Sequence, residues 1–483
     1  MAARLSVLWL LPPVLLAACS LEPPYHRPDA HVPRSFKEAS QTSFNSGTWK
    51  VGEPADAAQR GKWWMVFGDS TLNGYEDDAQ AANQDLKAAT ARVAEARALV
   101  RDARAQYFPT LDAGFGPTRQ RISPASQFAA PNTNVPTQTL WRAQGTAAYE
   151  ADLFGQVSSN VNASTADAQQ SEALFRSVQL ALQADVAQNY FQLRQLDAEQ
   201  QIYGKTVSLR ENSLRLAEHR YAEGDINELD VSRARSEVAT ARASAVGVAR
   251  LRAASEHSLA ILLGKAPAEF SFPETPLAPV SVQVPPGLPS ALLERRPDIA
   301  AAERAMAAAN ARVGLARSAF FPRLNITGQF GYESNTLGDL FMWSSRAFLL
   351  GPLVGTALTI PIFDGGRRDA ELAQARSRYE EQVAIYRQQV LLAFREVEDN
   401  LSDLRLLDDQ TREQNAAVNA SQRASHLSSV QYQEGQISFL DVIDSERTVL
   451  DTQLQASRLQ ASRAVATVNL IRSLGGGWSE PSA

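Results

Sequence analysis

Apolar and polar positions alternate with the two-residue period of a β-strand in several short segments. From Trp141 onward one face carries Trp141, Ala143, Gly145, Ala147, Tyr149, Ala151 and Leu153, and the other Arg142, Gln144, Thr146, Glu150 and Asp152. Leu111, Ala113 and Phe115 begin a matching strand ahead of it. Later, Leu324, Ile326, Gly328, Phe330 and Tyr332 oppose Asn325, Thr327, Gln329 and Glu333, and Val354, Thr356, Leu358, Ile360 and Ile362 predict a return strand. An apolar face with aromatics near its ends, backed by a polar face, is the pattern of a membrane-barrel strand; a soluble sandwich alternates too, so strands alone leave both readings open. Trp141 and Tyr149 lie eight residues apart. That is about 27 Å along a strand and about 20 Å of height once tilted, close to the separation of two aromatic girdles. Phe330 and Tyr332 are the girdle candidates of the later strand.

The rest of the chain has a helical rhythm. No proline occurs from Gln156 to Ala266 or from Ile362 to Glu480, while prolines crowd 109–136, 267–297 and 322–361. The stretches Gly155 to Gly224 and Gly366 to Gly435 therefore predict uninterrupted helices. At 1.5 Å per residue each reaches roughly 100 Å, longer than any globular core needs. Leu372, Ala375, Tyr379, Val383, Tyr386, Val390, Ala393, Val397, Leu401 and Leu404 follow the alternating three- and four-residue steps of a coiled coil. Val231, Ala234, Val238, Ala241, Ala245 and Val248 repeat it on a shorter return helix. Ala, Ser and Gln fill other positions, too polar for lipid and too small for a thick dry core, which suits a wall wetted on one side. A long solvated coiled coil shares this pattern; barrel strands inserted between the helices argue against it.

The second half duplicates the first. Tyr107-Phe108-Pro109-Thr110-Leu111 returns 213 positions on as Phe320-Phe321-Pro322-Arg323-Leu324. Val186, Asn189, Leu193, Arg194, Leu196 and Asp197 return 211 positions on as Val397, Asn400, Leu404, Arg405, Leu407 and Asp408. The stretch Tyr221 to Val231 returns at the same 211 offset as Tyr432 to Val442. A tandem duplication accounts for this near-constant register. Residues 70–287 form the first repeat and 288–474 the second, each with a helix, two strands and a helical hairpin, and 475–483 form a tail. Four strands cannot close a barrel, because open edges in lipid leave backbone groups unsatisfied; the chain must associate with copies of itself, and three copies supply about twelve strands.

Composition acts by exclusion. With 21% charged and 44% apolar residues in 483, the chain is neither disordered nor a polytopic helical membrane protein. A net charge of −6 offers nucleic acid no basic footprint. One cysteine excludes a disulfide framework and a Cys-based zinc site. The five histidines show no H-E-x-x-H spacing, no nucleophile–base pair is apparent, and Gly475-Gly476-Gly477 lacks the lysine of a phosphate loop. Neither an enzyme nor a cofactor or metal site is expected.

The cysteine instead closes a leader. After Arg4 an apolar run from Leu5 to Ala18 is interrupted only by Ser6, Pro12 and Pro13. It is short of the roughly 20 residues of a spanning helix and reads as a secretory signal over 1–18. Leu16-Ala17-Ala18-Cys19 resembles the bacterial lipobox, which makes 19–69 an N-terminal segment carrying covalent lipid on Cys19. By the same resemblance Ser20, not Asp, favours the outer membrane. An ordinary signal followed by a chance cysteine is the alternative.

Four further motifs make a resemblance specific: Gly287-Leu-Pro-Ser-Ala-Leu-Leu-Glu-Arg-Arg-Pro-Asp-Ile299, the Phe-Phe-Pro-x-Leu at 320–324, Pro361-Ile-Phe-Asp-Gly-Gly-Arg367 and Leu474-Gly-Gly-Gly-Trp478. With Trp63-Trp64 they cover nearly the whole mature chain. The chain resembles the TolC-like outer-membrane efflux family, and more closely its lipoprotein (OprM/NodT-type) branch serving resistance-nodulation-division pumps. The resemblance implies a mixed all-α plus membrane β-barrel fold: a homotrimer with a 12-stranded β-barrel continuous with a long α-helical coiled-coil barrel. It further implies a passive, gated exit duct for drugs or other small toxic solutes in the outer membrane of a Gram-negative bacterium, extending into the periplasm. The implied partners are a periplasmic adaptor (membrane fusion) protein, an inner-membrane pump of that class and outer-membrane lipid. A channel for type I protein secretion or metal-ion efflux shares the fold, and a periplasmic scaffold lipoprotein shares the anchor and coiled coil.

Glu223-Gly224 and Glu434-Gly435 end the long helices, with glycine suited to a left-handed cap. Asp225 with Glu228, and Ser438 with Asp441, read as capping boxes for the return helices. In the family these turns meet the adaptor, a role that falls here on Gly224, Asp225 and Ile226 and on Gly435, Gln436 and Ile437. Leu440, Asp444 and Arg447 share one helix face, so near a threefold axis they predict an apolar constriction and an acidic ring offset by arginine. They match the gate of the lipoprotein branch, Asp441 and Asp444 match its double acidic ring, and Tyr432 with Asp230 match a pair tying neighbouring coils. For Asp441 a first-turn acid favoured by the helix dipole is the plain alternative. Where the family's best-known member has arginine two residues after the second tip glycine, Ile437 stands, so that link must be absent or replaced.

Overall fold

The computed structural model describes residues 21–29, 32–33, 35–38, 61–121, 123, 134, 136–278, 282, 289–350 and 358–476. The leader with Cys19, the positions Val354 and Thr356, and Gly477 and Trp478 of the closing motif lie outside the described residues.

The order of elements repeats itself. The first series is α1 (Ser70–Ala82), α2 (Gln84–Ala105), β1 (Thr110–Gln120), β2 (Gln138–Ala151), α3 (Gln156–Glu223) and α4 (Glu228–Leu262). The second is α5 (Pro289–Arg295), α6 (Pro297–Ser318), β3 (Arg323–Ser334), β4 (Arg346–Leu350), β5 (Leu358–Thr359), α7 (Arg367–Gln433) and α8 (Phe439–Ser473). α2 and α6 are both 22 residues long, and α4 and α8 both 35.

Where one entry helix per copy was expected, two occur. At the first break the Asn83 carboxamide oxygen accepts the Leu86 N–H at 3.0 Å while its NH2 donates to the Leu262 carbonyl at 3.0 Å, so Asn83 caps a new helix. At the second break Arg296 precedes Pro297, which disfavours helical backbone at the residue before it.

The strands form one antiparallel sheet in the order β1-β2-β3-β4, with β5 also on β3. β4 lies against Gly328–Tyr332 and β5 against Arg323–Leu324 of the same strand, so the two are successive pieces of one ribbon edge. The return strand expected over 354–362 therefore begins earlier, at Arg346, and its pairing stops at Thr359. Proline at 361 has no N–H to donate, and Ile360 and Ile362 are exposed beyond the ladder. Leu153 likewise falls outside β2: its N–H turns back to the Ala151 carbonyl at 2.9 Å, and Asp152 accepts the Val157 and Ser158 N–H groups to start α3.

The chain separates into two compact units, Met1–Pro28 with Val93–Gln170 and Ala302–Tyr386, and Asp29–Arg92 with Ser171–Ala301 and Arg387–Ala483. Neither follows the repeat boundary, because elements of the two copies pack together: β2 of the first pairs with β3 of the second, and α3 of the first shares a core with α8 of the second. The first unit holds the sheet and small-residue helix contacts such as Ala103 with Val157 and Val161. The second has an aromatic core around Trp63, Trp64, Tyr190, Phe191 and Phe272, into which Leu72, Leu193 and Leu259 pack. There Arg194 lies over the rings of Tyr190 and Phe272, and Arg252 pairs with Asp197 at 2.7 Å, so both of these arginines are matched. No helix among the described residues is long and apolar enough to cross a membrane.

Candidate functional site

Register fixes two chemically opposite faces of the sheet. Phe115, Ala143, Tyr332 and Arg346 share one rung; Ala113, Gly145, Phe330 and Phe348 share another; Leu111, Ala147 and Gly328 share a third. All lie on one face, where Leu111, Phe115, Ile326, Phe330, Phe348 and Leu358 are exposed large apolar side chains. On the opposite face, the Arg142 guanidinium donates to Glu333 at 3.0 Å and to the Thr118 hydroxyl at 3.3 Å, and the Gln144 amide donates to Glu333 at 3.4 Å. Gln329 donates to Gln144 on the same side. A polar face cross-linked by its own side chains can stand against water, whereas the other face can be covered only by lipid or protein.

All connections from the strands to α2, α3, α6 and α7 leave one end of the sheet; Gln120 and Gln138, where β1 meets β2, and Ser334 and Arg346, between which β3 turns into β4, lie at the other. Trp141, opposite Ser334, and Tyr332, one rung on that face below it, mark the hairpin end; Tyr149, opposite Ile326, stands towards the helix end. Phe330 pairs with Gly145, midway between Trp141 and Tyr149, so it belongs to the middle of the apolar band and not to a girdle. Its ring occupies the space a β-carbon at Gly145 would need.

The two hairpin tips have the same backbone chemistry. At Gly224 (φ 84°) the N–H reaches the Tyr221 carbonyl at 3.0 Å and the Asp225 N–H reaches Arg220 at 2.9 Å. At Gly435 (φ 73°) the N–H reaches Tyr432 at 3.0 Å and the Gln436 N–H reaches Gln431 at 2.9 Å. Both are Schellman caps, which need a left-handed residue after the helix. Ser438 and Asp441 form the expected capping box, the carboxylate accepting the Ser438 N–H at 3.0 Å and its hydroxyl at 2.7 Å. The expected box of Asp225 and Glu228 is not formed: Asn227 caps α4, its side chain accepting the Asp230 N–H at 3.2 Å. Gly224, Asp225, Gly435 and Gln436 are exposed, while Ile226 and Ile437 are half-buried against a cluster of Ala217, Val231, Tyr432, Phe439 and Val442. Ile437 is thus held by apolar packing.

The pairing expected of Tyr432 and Asp230 is not made within the chain. The Tyr432 hydroxyl is buried without a hydrogen-bond partner, and Arg220 covers its ring while donating to the Gln433 carbonyl at 3.3 Å. Asp230 faces Arg233 at 3.5 Å.

Leu440, Asp441, Asp444 and Arg447 are all exposed on the single chain, Leu440 to 43%. Arg447 lies 3.7 Å from Asp444 and donates to Glu237 of α4. Glu237 in turn holds buried Arg210 of α3 at 3.0 Å, and Arg210 also donates to the Glu237 carbonyl oxygen at 3.0 Å. Glu446, one residue before Arg447, is buried beside this group, its carboxyl accepting from Ser213 at 3.4 Å. Burial pushes the Glu446 carboxyl above its ordinary value, against the pull of Arg210. Arg210, Glu237 and Glu446 are not among the residues that the sequence singles out. One signal was available: Phe439, Val442, Ile443 and Glu446 follow the i, i+3, i+4, i+7 apolar stripe, and the last is an acid.

The sequence profile described as outer membrane efflux protein matches residues 76–265 and 288–476, once per repeat. Outer membrane protein OprJ of Pseudomonas aeruginosa is 35% identical, the match covering 98% of this chain and 95% of OprJ. The probable efflux pump outer membrane protein TtgC of Pseudomonas putida is 33% identical, over 96% of this chain and 94% of TtgC. Among solved structures, the open state of the Neisseria gonorrhoeae MtrE outer membrane channel superposes with a TM-score of 0.80 at 28% identity, covering 95% of this chain and 98% of that one.

Proposed function

Because this chain belongs to the outer membrane efflux protein family, we propose that it works as the passive exit channel of a tripartite efflux system in the outer membrane, three copies closing one pore. One observation carries the reading. The sheet has an exposed apolar face, a cross-linked polar face and, among the described residues, no strand paired to the outer edge of β1 or of β4 and β5. In lipid such edges cost several kcal/mol per unpaired backbone group, and identical neighbours joined edge to edge remove that cost. The polar face then lines the lumen and the apolar face meets lipid. The strand ends remote from the helices stand at the outer end, so the helices descend into the periplasm.

The duct carries no chemical step of its own: an inner-membrane pump supplies the energy and a periplasmic adaptor joins pump to channel. Gly224, Asp225, Ile226, Gly435, Gln436 and Ile437 form the surface offered to that adaptor. Leu440, Asp441 and Asp444 narrow the lower end, and Arg447 holds α8 against α4 in the narrowed state. Cys19 carries a covalent lipid that keeps the chain at the membrane. Drugs and other small toxic solutes are the cargo this reading favours.

Single-channel recording from the reconstituted full-length protein tests it, with size measured in mild detergent. A trimer whose conductance rises severalfold on replacing Leu440 or Asp444 with alanine is the expected result. A stable monomer, or conductance unchanged by both substitutions, refutes the pore or the gate respectively.

A further inference from the structure

The loop joining β3 to β4 presents Phe341, Met342 and Trp343, each more than half exposed, at the end of the sheet remote from the helices. Two relations fix which side of the sheet it favours. Phe341 meets Tyr332 edge-on with ring centroids 5.5 Å apart, and Tyr332 belongs to the apolar face. Arg346, opposite Tyr332 in register, belongs to the same face, and its guanidinium stacks on Trp343 while Nε donates to the Trp343 carbonyl oxygen at 2.7 Å. The loop therefore folds over the lipid-facing side and not over the lumen. Among the described residues the partner of Arg346 is Trp343 and no carboxylate is paired with it; the loop's own Asp339 accepts from the Thr336 hydroxyl at 2.6 Å. Arg119, near the same end of β1, shares this face.

An apolar, aromatic loop tip exposed to water is unfavourable, and a cation set among exposed aromatics on a lipid-facing surface needs an anion. Aromatic side chains gather at the level of lipid headgroups, and guanidinium binds phosphate through two parallel N–H groups. We propose that this loop is a lipid-binding foot in the outer leaflet: Phe341, Met342 and Trp343 enter the headgroup zone, and Arg346 binds the phosphate of an anionic glycolipid there. Stacking on Trp343 and the Nε hydrogen bond hold the guanidinium plane fixed, which leaves its two terminal nitrogens to the phosphate. Charge complementarity and continuity with the apolar band favour this occupant. The inference rests on the channel reading for its orientation in the membrane.

Titration of the full-length protein in detergent with lipid A, against the same lipid after removal of its phosphates, measures the interaction by native mass spectrometry. The wild type is expected to retain the phosphorylated form at least tenfold more tightly, Arg346→Gln to lose that preference, and Arg346→Lys to keep part of it. In vesicles with brominated acyl chains, tryptophan quenching should fall in Trp343→Phe. Equal binding of both lipids by the wild type, or an unchanged preference in Arg346→Gln, overturns the proposal. So does a change of oligomeric state in Arg346→Gln without a lipid effect, which would mean that a second copy covers the loop. Conductance separates the two levels: a wild type that conducts yet ignores the phosphate refutes the foot alone, and one that never conducts refutes the channel.

Discussion

Arg447 on α8 and Arg210 on α3 are bound to the same carboxylate, that of Glu237 on α4. One acid thus ties three helices just above the hairpin tips. Arg210 is buried and Arg447 is mostly exposed, so the two halves of the link differ in what their loss does.

Replacing Glu237 with Gln leaves the buried Arg210 cation without its counter-charge, which costs about 3 kcal/mol. The melting temperature of the protein in detergent should fall by several degrees and the conductance should rise. Arg447→Ala removes only the exposed arm, worth at most about 1 kcal/mol, so it should raise conductance with little change in melting. Equal melting losses in the two variants would contradict this division of roles.

Glu76 on α1 is fully buried, and neither carboxyl oxygen has a hydrogen-bond partner. Burial, with a smaller push from Asp77, raises its pKa to about 9. The folded state therefore holds a proton that the unfolded chain releases near its ordinary value, so stability is greatest at acid pH and is lost as pH rises from about 4.5 towards about 9. Glu76→Leu abolishes that loss and should stabilise the protein at pH 7 by as much as about 3 kcal/mol. Melting followed by circular dichroism at pH 5 and pH 8 reads it: the wild type declines and the variant does not.

Much of this architecture is visible in the chain itself, and what is hidden has a physical reason. Period-two alternation gives the faces of β1, β2 and β3 because a strand's side chains have only two directions to take. The tips are legible because a Schellman cap demands a left-handed residue, and Gly224 and Gly435 supply it. β4 is hidden, since Arg346 and Ala347 weaken an alternation that its pairing with β3 satisfies through the backbone. The cap at Asn227 is hidden for another reason: Asp225 and Asn227 are both competent caps, and Asp225 is already engaged as the second residue of the Schellman turn. The charge group of Arg210, Glu237 and Glu446 could not be assembled from sequence at all, because its members come from three helices and only packing brings them together. Tyr432 and Asp230 show the converse, a pairing suggested by resemblance that the chain's own geometry spends on Arg220 and Arg233.

Gly145 and Gly331 occupy neighbouring rungs on opposite faces and predict different tolerances. A β-carbon on Gly331 would come within 2.2 Å of the Ala143 carbonyl oxygen, a backbone atom held by the ladder. On Gly145 it would meet the Phe330 ring at 2.7 Å, and that exposed ring can turn aside. Gly331→Ala should cost about 3 kcal/mol or more and deplete assembled protein in the membrane, whereas Gly145→Ala should cost about 1 kcal/mol. Heat-resistant oligomer on gels measures both, and comparable yields for the two variants would count against the register.

Glu446 offers a test of whether the tip responds to acid. Its carboxyl is raised above the ordinary value mainly by burial, with Arg210 and the Ser213 hydroxyl opposing and Glu237 reinforcing the shift; Arg447, on the same helix, is directed to Glu237. A raised carboxyl pKa means that the packed tip is favoured while Glu446 is protonated and weakens as pH climbs through the raised value. Glu446→Gln keeps the shape and the bond to Ser213 but cannot ionise. Its open probability in planar bilayers should stay low and flat between pH 5 and pH 8, while that of the wild type should climb with pH. A wild type equally open at both values would show that this acid does not govern the tip.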